Sequence, residues 1–112
     1  MSILVAFEEE YLVYQELITH TLRALRPHVE VSVAEPDALE AEVARLCPHL
    51  VICSRPKDAM EGNHELAWLQ LPTGRDCFAR VWLDGQYSEV RDPGLEELFR
   101  IVDEAEVLVR TN

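Results

Sequence analysis

Basic residues are scarce in this chain. Over 112 residues, 10 Lys and Arg stand against 21 Asp and Glu, a formal charge of −11. A sequence-independent grip on nucleic acid needs cations to neutralise phosphates. No Lys/Arg-rich helix is present to supply them, so nucleic acid is excluded as an expected partner. Cysteine is sparse too. Cys47, Cys53 and Cys77 are odd in number and contain no C-x-x-C pair. That argues against a closed disulfide framework and against a zinc site built on paired ligands. His20, His28, His49 and His64 are scattered and add no metal-ligand spacing. Only four glycines occur, with no Gly-rich phosphate loop and no G-x-S-x-G elbow. No apolar run approaches the roughly 20 residues of a membrane helix. The start, MSILVAFEEE, lacks a basic n-region, so no secretory signal is expected. With no targeting segment, the cytoplasm is the expected compartment, and no membrane partner is expected.

What is present is the balance of a folded domain. Hydrophobic residues make up 48% and charged residues 28%, and the length fits one domain over 1–112. The continuous apolar run Ile3 to Phe7 reads as a strand covered on both faces. Glu8, Glu9 and Glu10 lead into a helix over about 10–26. Tyr14, Leu17, Ile18, Thr21, Leu22 and Leu25 fall at steps of three or four and predict its buried face. Pro27 stops it. Val29 to Ala34 alternates and reads as a strand near a sheet edge. A second helix opens at Pro36 or Asp37, with Leu39, Val43 and Leu46 inward, and ends at Pro48. His49 to Cys53 is a third, central strand. Residues 55–58 and 62–63 read as loop, 64–71 as a short helix with a short strand as the alternative, and 72–74 as a turn. Phe78 to Leu83 and Gln86 to Val90 flank Asp84-Gly85, a hairpin signal. A last amphipathic helix runs from 94 to about 109. The predicted fold is an α/β three-layer sandwich. Its sheet is mostly parallel, with about five strands and an antiparallel edge hairpin.

This order of elements resembles the receiver domain of two-component response regulators. ILVAF followed by Glu8-Glu9 is similar to a receiver's first strand and acidic pair. VEVSVAEP is similar to its second strand, Pro48 to Ser54 to the strand that carries the phosphoacceptor, and LEELFRIVDEA to its last helix. The resemblance implies a flavodoxin-like fold and magnesium at Glu8 and Glu9. The chemistry departs from the family. Ser54 stands at the phosphoacceptor aspartate's position and cannot form an acyl phosphate. No lysine follows Lys57, and Arg91 is the nearest candidate for the phosphate-contacting lysine. The interval before the last helix is also too short for another helix and a parallel strand. The resemblance is therefore to a degenerate, pseudo-receiver domain.

Ligands of open α/β sheets gather at the carboxyl ends of the strands. Glu8, Glu9, Ser54, Arg55, Arg91 and Asp84 are expected there, the first five as a ligand or pseudo-phosphoacceptor pocket. The bland reading of Glu8 and Glu9 is as helix N-terminal charges. Cys53 reads as a core residue. Trp68 and Trp82 read as core or interface residues. No catalytic constellation is supported, so neither enzyme activity nor a cofactor is expected; magnesium rests on the resemblance alone. The expected function is a signalling or scaffold domain that works through protein contacts, with a protein partner or a second copy. The alternative is a divalent-cation or small-molecule domain at the Glu8/Glu9/Ser54 edge.

Overall fold

The computed structural model describes residues 1–55, 66–72 and 77–111. Its elements follow the order β1 (Ser2–Ala6), α1 (Leu12–Leu25), β2 (Glu30–Val33), α2 (Leu39–Leu46), β3 (Leu50–Cys53), β4 (Ala67–Gln70), β5 (Phe78–Leu83), β6 (Gln86–Arg91) and α3 (Leu95–Thr111). Short 3-10 turns, Glu9–Tyr11 and Pro36–Ala38, lead into α1 and α2. The strands form one sheet in the order β2-β1-β3-β4-β5-β6. The pairs β1–β2, β1–β3 and β3–β4 are parallel. The pairs β4–β5 and β5–β6 are antiparallel.

This corrects the expectation of a mostly parallel sheet of about five strands. The sheet has six strands and is mixed. The cause lies in the described part of 64–71, which was expected to be helical. There Ala67, Trp68 and Leu69 are buried and pair with Leu50, Val51 and Ile52. A strand covered on both faces shows no period of two, so a short apolar run hides its type. Once β4 joins β3 in parallel, β5 must return antiparallel beside it. The predicted loops at 56–58 and 62–63, residues 64–65 and the Thr73-Gly74 part of the turn lie outside the described residues.

The sheet separates two apolar cores. On one face Ile3, Val5, Phe7, Ile52 and Leu69 pack with Ile18 and Leu22 of α1 and with Leu98, Ile101 and Val102 of α3. On the other face Leu4, Ala6, Val51, Cys53 and Trp68 pack with Leu39 and Val43 of α2. α1 is rotated from the predicted face. Gln15, Ile18, Thr19 and Leu22 are buried, while Leu17 and Leu25 are exposed. The Gln15 amide oxygen accepts the Phe7 N–H at 2.9 Å, satisfying a backbone group just past β1. That bond turns the polar residue inward.

Two termini are locally determined. Cys47, at φ 49°, closes α2 in the left-handed conformation and donates its N–H to the Val43 carbonyl. Asp84 (φ 54°) and Gly85 (φ 75°) both take positive φ, the requirement of a type I′ hairpin turn between β5 and β6. α3 is tied to the end of α1. Arg26 donates to both Asp103 oxygens at 2.9 and 3.0 Å and lies 5.0 Å from the Phe99 ring centre. His28 and Glu106 meet at 2.8 Å beside it. No helix among the described residues is long and apolar enough to cross a membrane.

Candidate functional site

The parallel strands β2, β1 and β3 end on one edge of the sheet, and three connecting segments leave there. β1 exits through Glu8, β2 through Pro36 and Asp37, and β3 through Ser54 and Arg55. Arg55 joins all three. Its Nε donates to Glu8 Oε1 at 2.9 Å, its Nη2 to Asp37 Oδ1 at 2.9 Å, and its Nη1 to the Pro36 carbonyl at 3.1 Å. The two carboxylates, Asp37 first and Glu8 second, raise the pKa of the guanidinium further. The backbone of Arg55 is held as well. Its carbonyl accepts from Trp68 Nε1 at 2.9 Å and from Cys53 Sγ at 3.2 Å. Both ends of the residue are therefore positioned, as a fork-shaped cation requires to bridge separate acceptors.

Not every expected residue joins this cluster. Ser54 follows β3 directly, and its hydroxyl is buried with no hydrogen-bond partner among the described residues. Glu9 is exposed in the 3-10 turn and makes no ion pair among the described residues. Arg91 ends β6, three strand spacings of about 4.8 Å from β3. It is exposed and lies 3.7 Å from Asp92. Asp84 sits at the opposite edge, because β5 runs against β4 and carries the turn there. Strand direction sends Asp84 to the other edge, whereas β6 runs parallel to β3, so Arg91 ends on the same edge and is kept from the cluster by the intervening β4 and β5.

Asp37 follows Pro36 at the opening of the second helix, a place that suits a cap or a first-turn acid. It is an acid of the first turn, makes no capping hydrogen bond, and also takes the Arg55 guanidinium. Trp68, expected as a core or interface residue, is fully buried, and its indole N–H also fixes the Arg55 carbonyl. The usable signal was positional: Asp37 follows the second strand just as Glu8 follows the first.

The chemistry available at this edge is limited. Burial pushes the Cys53 thiol up to about 12, so it stays protonated and is a poor nucleophile. Among the described residues no group of three His, Cys, Asp or Glu side chains is placed to hold a metal ion. Comparison with family models, curated proteins and solved structures finds no match to this chain.

Proposed function

We propose that this chain is a non-catalytic, receiver-like signalling or scaffold domain that acts through protein contacts without aspartate phosphorylation. The observation that carries the reading is the Arg55 guanidinium bound to Glu8 and Asp37. A hard divalent cation needs several free oxygen ligands. Here an internal cation already takes one oxygen of each carboxylate at the strand ends. Ser54, at the end of β3, has a buried hydroxyl where a phosphoryl acceptor must be open to its donor. The parallel order β2-β1-β3-β4 agrees with the receiver-like succession of elements.

The test is incubation with acetyl phosphate and magnesium, followed by intact-mass measurement at neutral pH. No added phosphoryl mass is expected. A labile adduct that mapped to the 54–55 region would overturn the reading. Isothermal titration with magnesium, calcium and manganese tests the cation alternative, and flat traces at millimolar metal are the outcome expected here.

A further inference from the structure

We propose that the free edge of β2 and the adjoining flank of α1 join two copies of this chain in a twofold-symmetric, antiparallel dimer. The proposal names the partner for the contact-based reading above and rests on it. Among the described residues β2 ends the sheet, with β1 as its one strand neighbour. The N–H of Glu30 donates to the Met1 carbonyl and that of Ala34 to the Val5 carbonyl, both at 3.0 Å. Backbone groups alternate in direction along a strand, so those of Val31 and Val33 turn away from β1. The Val31 carbonyl, consistent with this, is reached by Arg23 Nη2 at 3.1 Å. An open strand edge is a template for pairing with another chain.

Beside that edge runs an open groove of about 640 Å³, lined by Val13, Glu16, Leu17, His20, Arg23 and Val33. Val13 is 83% exposed, Leu17 50% and Val33 46%. Grouped apolar side chains bordered by polar ones mark interaction surfaces.

The charge pattern selects a second copy as the occupant. The chain as a whole carries −11 and repels itself. This flank is balanced, because Glu16 and Arg23 lie two helical turns apart on one side of α1. A twofold axis near residues 19 and 20 sets Glu16 of each copy against Arg23 of the other. α1 runs antiparallel to β2, so the same axis passes near Ser32 and pairs Val31 of each copy with Val33 of the other. Self-complementarity of this kind is what an isologous interface demands. Arg23 exchanges the Val31 carbonyl for a carboxylate, Leu17 packs near the axis, and Val13 lies farther out, beyond the Glu16–Arg23 pair. A basic partner fits less well, since Arg23 and His20 already line the groove.

Sedimentation equilibrium of the full chain, from low micromolar to hundreds of micromolar, tests the proposal. A concentration-dependent dimer is expected. Leu17→Glu places like charges at the axis and should weaken it by about tenfold or more. Glu16→Arg should weaken it as well, and Glu16→Arg combined with Arg23→Glu should restore it. Circular dichroism checks that each variant is folded. A monomer at every concentration, a dimer indifferent to Leu17→Glu, or a charge exchange that fails to restore association would each overturn the proposal. None of these outcomes touches the acetyl phosphate result, so the two readings fail separately.

Discussion

Arg55 shows how much a single side chain can organise at this sheet edge. It holds the exits of β1, β2 and β3 through Glu8, Asp37 and the Pro36 carbonyl. The Glu8 pair is partly exposed and contributes at most about 1 kcal/mol, while Asp37 is almost wholly in solvent and its pair adds little. Arg55→Ala should therefore lower stability by about 1 kcal/mol, seen as a fall of a few degrees in Tm by calorimetry. Cys53 lies under the same residue, buried and with its thiol pushed up to about 12. Iodoacetamide at mildly alkaline pH should label the exposed Cys47 in the native protein and leave Cys53 unmodified by peptide mass mapping. Labelling of Cys53 at the rate of Cys47 would contradict its burial. At this scale Glu8 was legible as a site residue because it directly follows an apolar strand. Asp37 was not, because an acid before a helix has an ordinary explanation as a cap.

At the scale of elements, α1 and α3 are joined at their polar rims as well as through the core. Hydrogen bonds from Arg26 hold the Asp103 carboxyl below its usual range, and the bond to His28 does the same for Glu106. A carboxyl with a depressed native pKa contributes stability that is present above its unfolded-state value. That stability is lost as pH falls through the native value. The contribution is thus complete above about pH 4.5 and fades below it. Asp103→Asn should make the urea midpoint less dependent on pH between about 5 and about 3 than in the wild type. A slope equal to the wild type would remove the Arg26–Asp103 pair as a cause. The elements themselves were mostly legible from periodicity. β4 was not, because Ala67, Trp68 and Leu69 are buried on both faces and give no alternation. The face of α1 was misread because Leu17 and Leu25 fit a helical stripe while Gln15 and Thr19 are the residues turned inward.

For the whole molecule, the order β2-β1-β3-β4-β5-β6 leaves β2 and β6 at the edges and puts β1, β3 and β4 in the middle. Every residue of β3 is buried, whereas β6 is exposed along most of its length. Hydrogen exchange should follow this gradient. Amides of β1, β3 and β4 should be protected near the global limit, and those of β6 should exchange through local opening. Equal protection in β6 and β3 would contradict a free outer edge in solution. The sequence by itself determined the apolar strands β1 and β3, the edge character of β2, the D-G turn and the shortage of cations. Each is a local matter of burial pattern, backbone φ or charge count. Tertiary structure alone decided that residues 67–70 are a strand, which makes the sheet six-stranded and mixed. It also decided that Arg55 reaches both Glu8 and Asp37 while Arg91 and Asp84 end elsewhere. Those outcomes depend on strand direction and on pairing between distant segments, and no local pattern encodes either.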